Sequence, residues 1–343
     1  MKKVLLVGGA GYVGSVLANE LLAQGYSVRI VDNLYYGKDG LEGIEDKVEL
    51  VVDDIRTIGS DVLLGIDGII NLSGFSNDPT AAYNPELNYE MNTVATERLA
   101  RLAKDNGIAR YVFASSGSIY DCGVEDGTLD IIQDETSEVY PVLPYSKSKY
   151  DAERLLIDMA DEEFCPVILR KGTIFGYSNR MRYDLVVNTF VKYAMSQGYL
   201  RLDNGGEMWR PMVSVRDVAQ AYIAALEAPA EKVSAEVINV SNRNYRISEL
   251  GLRTREALRN CGVEVDLRMN YNLAGPVRSY RMSNNKAKDL LGFDPKHQID
   301  EEVTTLIQKI QNGKFNDYDN PIYYNIQWMK LLEEKNNREL LPV

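Results

Sequence analysis

Along the first half of the chain, short apolar runs alternate with longer stretches of mixed polarity. "KVLLV" (3–7), "SVRIVD" (27–32), "KVELVV" (47–52), "GIINL" (68–72) and "RYVFASS" (110–116) are apolar, β-branched and bounded by turn residues, which predicts strands. Between them, "YVGSVLANELLAQG" (12–25) and "MNTVATERLARLAKDNG" (91–107) space their apolar residues at helical intervals and stop at glycine. Strands apolar on both faces that alternate with helices predict a parallel sheet covered on both sides. Right-handed crossovers make this an α/β, doubly wound, Rossmann-type fold.

The second half is less regular. "PVILRKGTIFG" (166–176) predicts a strand running into a loop, and "EVINVS" (236–241) a strand. "DLVVNTFVKYAMSQG", "DVAQAYIAALEAP" and "ISELGLRTREALRN" predict helices. The aromatic tail after Gly313, "FNDYDNPIYYNIQWMKLLEE", predicts a packed terminal helix rather than a binding motif. With no repeat and no low-complexity linker, the expected division is a nucleotide-binding domain over 1–170. Residues 171–343 then form a smaller α/β part, mainly for substrate, that ends in the helical tail.

The chain has 343 residues, and its apolar share of 45% supports a sizeable core. A net charge of −12 argues against a nucleic-acid or anionic-membrane binder, while leaving room for a locally bound phosphate. Cys122, Cys165 and Cys261 are scattered and His297 is the single histidine, so zinc-ligand spacing is absent and no metal is expected. The cysteines read as free thiols in a reducing compartment. No signal peptide or membrane-length apolar run is visible, so a cytoplasmic protein is expected.

The candidate chemistry begins at "GGAGYVGS" (8–15). Gly8, Gly11 and Gly14, with Tyr12 and Val13 between them, follow the first strand and open the first helix. Glycines there let the backbone approach a pyrophosphate, and the helix N-terminus offers free N–H groups. Asp32, in "VDNL" beside Asn33, lies about twenty residues on, where a carboxylate binds an adenosine ribose and repels a 2′-phosphate. NAD is therefore expected over NADP. Asp54, in "VVDDIR", is placed to accept from the adenine amino group, with Ile55 beneath the ring.

"PYSKSKYDAER" puts Tyr145 and Lys149 four residues apart, on one helical face. A free tyrosine titrates near about 10. A lysine ammonium and a cationic nicotinamide nearby favour the phenolate and make it a base. Ser116, ending "RYVFASS", is placed to hydrogen-bond the same substrate hydroxyl, and Asn92 sits in the preceding helix.

Taken in order, "GGAGYVGS", "VDNL", "DDIR", "NLSG", "MNTVAT", "SSGSIY", "YSKSK", "RKGTIFG" and "WRPMVSVRDVAQAY" resemble the extended short-chain dehydrogenase/reductase family, in its nucleotide-sugar epimerase and dehydratase branch. The resemblance implies Ser116, Tyr145 and Lys149 as catalytic triad, with Lys149 also binding the nicotinamide ribose. It implies Leu72, Ser73, Gly74 and Asn92 as cofactor-lining residues. Arg210, and more loosely Arg278, match arginines that grip a sugar nucleotide's diphosphate. A homodimer, paired through the helices around Asn92 and Tyr145, is implied too.

Within that branch the two positions after the catalytic Ser/Thr help to separate reactions. Related 4,6-dehydratases carry Asp-Glu there, decarboxylases a glutamate at the second position and 3,5-epimerases a cysteine. Here Gly117 and Ser118 offer no acid or base. The resemblance then implies a C4 epimerase with tightly held NAD, similar to the UDP-galactose and UDP-uronic acid enzymes, with Ser118 among the substrate contacts. A 4-dehydrogenase or 4-keto-reductase of the same branch uses the same residues, and a non-catalytic nucleotide sensor is the reading from another class. Cys122 reads as structural. Thr173 stands where relatives often carry asparagine, and is a substrate-contact candidate. "SNRMRYDLVV" is unusual: Arg182 and Asp184 there face either the nucleotide or sugar, or form a surface salt bridge.

Overall fold

Strands β1 (Lys3–Val7), β2 (Ser27–Asp32), β3 (Glu49–Val52), β4 (Gly68–Asn71), β5 (Arg110–Ser116), β6 (Cys165–Lys171) and β7 (Glu236–Val240) form one seven-stranded sheet in the order β7-β6-β5-β4-β1-β2-β3. Every pairing in it is parallel. The order reverses at β1 and β4, and ligands bind in such sheets at the strand ends beside that switch point. The computed structural model describes residues 2–120, 131–271 and 278–339; Cys122 lies outside them.

Helices α1 (Tyr12–Ala23) and α5 (Val215–Glu227) cover one face of the sheet, and α2 (Ala95–Asp105) and α3 (Pro144–Asp158) the other. Each face has its own apolar core. Leu17, Ala18 and Leu21 of α1 meet Val167 and Leu169 of β6 and Tyr222 of α5. Leu99, Ala100 and Ala103 of α2 meet Phe113 of β5, Ile168 of β6 and Leu156 of α3. The alternation along β6 is the period-2 pattern of a strand buried on both sides.

The helix expected over 91–107 does not start regularly. Residues Glu90–Val94 form a π-turn before α2, a distortion often found at functional sites. It points Asn92 inward, where its Nδ2 donates to Phe75 O (3.2 Å), Asn88 Oδ1 (2.9 Å) and Ser148 Oγ (3.1 Å).

The strand expected over 166–176 is two strands. Gly172 separates β6 from Thr173–Phe175, which joins Trp209–Ser214 and Arg243–Arg246 in a three-stranded sheet. A Cβ at Gly172 would lie 2.7 Å from Pro211 O, so only glycine lets the two sheets meet so closely. α4 (Val186–Gln197), α6 (Ile247–Asn260) and α7 (Ile299–Gln311) pack around a third core with this smaller sheet. Past residue 170, α5 and β7 return to the large sheet. No helix among the described residues is long and apolar enough to cross a membrane.

Candidate active site

One cavity runs along the C-terminal ends of the strands. Its wall includes Gly8, Gly11, Tyr12, Val13, Gly14, Asp32, Asn33, Asp54, Ile55, Leu72, Ser73 and Gly74. Ser116, Ser118, Tyr145, Lys149, Thr173, Arg182 and Arg278 line it further on. Thus nearly all of the expected site residues converge, though they come from both halves of the chain.

The glycine loop is shaped by contact. Gly8 has φ +81°, a conformation that favours glycine. A Cβ at Gly14 would fall on the Gly8 carbonyl and the Gly9 backbone. Gly11 caps α1 without any side-chain hydrogen bond, so the helix's first N–H groups face the cavity uncapped. Asp32 stitches this loop: Oδ2 accepts from Ala10 N and Oδ1 from Leu34 N, each at 2.9 Å. Burial raises its carboxyl above the usual range, and these bonds act against the rise. Asp54 is gripped by Arg56 at 2.9 and 3.0 Å, and this holds its carboxyl low. The close glycine cradle, uncapped helix end and carboxylate on β2 fit a dinucleotide such as NAD.

At the other end, helix α3 brings Tyr145 and Lys149 to the cavity. Glu153, one turn further along, anchors that helix to the sheet. It accepts from Arg170 of β6 at 2.6 Å and from the Ser115 hydroxyl of β5, and Arg170 also donates to Tyr120 Oη at 2.9 Å. Lys149 is buried, with Nζ 4.9 Å from the centroid of Phe113.

Ser116 hydrogen-bonds Tyr145 and donates to Ser118 Oγ at 2.9 Å. Burial pushes Tyr145 up to about 12, while its bond to Ser116 opposes the rise. Burial brings Lys149 down to about 7, leaving it only partly charged near neutrality.

Two expected residues stand outside the cavity wall. Asn92 acts from behind it, bracing the Phe75 loop against α3. Arg210 donates to the carbonyls of Trp209 (2.8 Å) and Arg278, so it backs the segment carrying Arg278. Arg278 itself lines the cavity, paired with Asp78.

Arg182 and Asp184 form no surface pair. Arg182 is buried and holds Asp184 at 2.8 and 3.0 Å, and its Nη1 donates to Ser76 Oγ at 3.1 Å. Sequence reasoning missed Arg180 beside them. Its guanidinium lies 3.9 Å from the Tyr36 ring centroid, its Nη2 donates to Asn325 Oδ1 at 2.6 Å, and its buried Nε has no partner. The aromatic tail is also more than packing. Asn325, the first residue of α8 (Asn325–Glu339), lines the cavity, and Trp328 Nε1 donates to Tyr35 O at 2.6 Å. Lys171 and Tyr222 were missed as well, though both fall within quoted motifs.

A family model, "NAD dependent epimerase/dehydratase family", matches residues 4–241. The chain is 26% identical over 312 residues to UDP-glucuronic acid decarboxylase 1 of Xenopus tropicalis, covering 89% of this chain and 71% of that protein. It is 25% identical over 323 residues to UDP-glucose 4-epimerase of Lactobacillus helveticus, covering 88% and 95%. Among solved structures, UDP-glucose 4-epimerase of Thermotoga maritima with UDP-glucose shares the fold at a TM-score of 0.77 and 23% identity, covering 91% and 99%. UDP-glucuronic acid 4-epimerase of Bacillus cereus, solved with UDP-glucuronic acid and NAD, does so at 0.76 and 22%, covering 90% and 99%. With the model spanning more than half of its length, the chain belongs to the NAD dependent epimerase/dehydratase family.

Proposed function

We propose that this protein is a nucleotide-sugar epimerase that inverts C4 through a transient keto sugar and keeps its NAD between turnovers. The observation that carries the reading is at Gly117, which offers no acid or base and is packed against Met282 Sδ and Lys171 O. Ser118 beside it presents only a hydroxyl, already engaged with Ser116. Ser116, Tyr145 and Lys149 suffice for oxidation and reduction at one carbon, and neither position after Ser116 adds an acid for elimination. Relatives that act as 4-epimerases on UDP-glucose and UDP-glucuronic acid support the same reading.

When bound, NAD supplies a hydride acceptor and donor. The chain's own residues do the rest. Ser116 holds the sugar hydroxyl against Tyr145 Oη, which takes its proton and later returns it. Since burial holds Tyr145 at about 12, its base form needs positive charge close by; Arg278 and Arg182 already act in that direction, and a protonated Lys149 adds to it. Ser118, Thr173, Arg182 and Arg278 surround the sugar and its diphosphate. The protein works as a homodimer through Pro85–Val94 and α3, where Tyr89 and Val94 stand exposed; a monomeric mass by light scattering would contradict this.

The test is turnover on a panel of sugar nucleotides in deuterated water, without added NAD(P)H, read by NMR. We expect an epimer that carries no deuterium at the inverted carbon. Tyr145→Phe should retain NAD and lose activity by about 100-fold or more. Accumulating bound NADH with a keto sugar, and no epimer, would make the protein a 4-dehydrogenase instead.

A further inference from the structure

Lys171 ends β6, and no step above uses its amine. On β6, Val167 and Leu169 enter the core under α1 and α5, whereas Ile168 and Arg170 face α3. The alternation turns Lys171 towards α5, where its Nζ donates to Tyr222 Oη at 3.0 Å. Lys149 reaches the same cavity from the opposite face of the sheet. Lys171 is also the register partner of Ser116. Two amines thus bracket the strand ends at which Ser116 and Tyr145 stand.

Among the described residues, no carboxylate bonds to either amine. Glu153 is committed to Arg170 and Ser115, and Asp78 in the cavity wall to Arg278. A proton on either amine makes this enclosed space unfavourable for a further cation. An oxidised nicotinamide ring is a cation and a reduced one is neutral. Any reacting ring must lie near Ser116 and Tyr145, hence within reach of both amines' field.

We propose that Lys171, anchored by Tyr222, sets the redox poise of the bound nicotinamide and favours its reduced form. The amine keeps a proton more easily beside a neutral ring than beside a cationic one. Protonation of Lys171 and reduction of the ring therefore favour each other, by linkage. Enclosure, with the Lys149 charge as the second cause, keeps Lys171 well below the ordinary lysine range. The titratable groups facing it are Tyr222 from α5 and Lys149 from α3, with Tyr145 acting on Tyr222. The proposal rests on NAD use by the family and stands whichever carbon is inverted.

The test compares affinities for NAD and NADH in the full-length protein freed of nucleotide, and in Lys171→Met and Lys171→Gln. We expect either neutral side chain to shift the ratio of the two dissociation constants towards NAD by about tenfold or more, roughly the effect of one charge at close range. A second measurement needs no variant. Calorimetry at neutral pH, in buffers of different ionisation heat, should show that the unsubstituted protein takes up more protons with NADH than with NAD. Equal uptake for the two, or ratios within twofold of the unsubstituted protein in both variants, overturns the proposal. An unchanged ratio with weakened binding of an acidic sugar nucleotide would assign the amine to the sugar instead.

Discussion

Lys149 is costly to bury. It sits among Phe113 and its neighbours with no acid bonded to it, and burial brings its amine from 10.5 to about 7. Between those values the unfolded chain holds a proton that the folded one gives up, so stability rises with pH through that window. The penalty is full below about 7 and gone above 10.5. Lys149→Met should therefore be the more stable protein at pH 6, by a few kcal/mol, and lose that advantage by pH 11. Urea denaturation of both proteins across this range checks it; an advantage independent of pH would show that Lys149 is charged in the fold. Individual residues were legible where chemistry is local. Tyr145 and Lys149 could be paired from their spacing, whereas Arg180 could not, because its partner Asn325 lies 145 residues away.

At the scale of elements, the glycine loop and α1 act as one unit. The Gly14→Ala methyl would push α1 away from the Gly8 carbonyl. We expect a loss of about 1–3 kcal/mol in stability, the usual cost of overpacking. NAD affinity should fall at least tenfold with it, since the same N–H groups serve both purposes. Titration of NAD alongside denaturation tests this; unchanged affinity would place the phosphates elsewhere. The tie between α3 and the sheet is a second such unit. Glu153→Ala leaves Arg170 buried without its acid, which costs about 3–5 kcal/mol by denaturation. Strands and helices with strict periodicity were legible to within a few residues. The π-turn at Glu90–Val94 and the break at Gly172 were not, because each arises from a tertiary contact: Asn92 reaching Phe75 and Ser148, and Gly172 meeting Pro211.

For the molecule as a whole, the cavity is closed by the end of the chain. Asn325 ties Arg180 to Ser76, and Trp328 ties α8 to Tyr35 behind β2. Removing residues 325–343 should weaken NAD binding, seen as a smaller rise in melting temperature with added NAD. At 100 times the dissociation constant that rise corresponds to about 2.7 kcal/mol in a protein that binds fully. An equal shift with and without the tail would restrict α8 to packing.

The sequence by itself determined the alternation of strands and helices, the glycine loop and the pairing of Tyr145 with Lys149 on one helical face. These depend on periodicity and on spacings within a few residues, which the backbone converts directly into geometry. Only the tertiary structure decided that Arg180, Arg182, Asp184 and Asn325 form one buried network and that Lys171 meets Tyr222. It also decided how far burial moves Tyr145 and Lys149 from their ordinary ranges. Contacts between distant segments, and the exclusion of water from them, exist only once the chain has closed on itself.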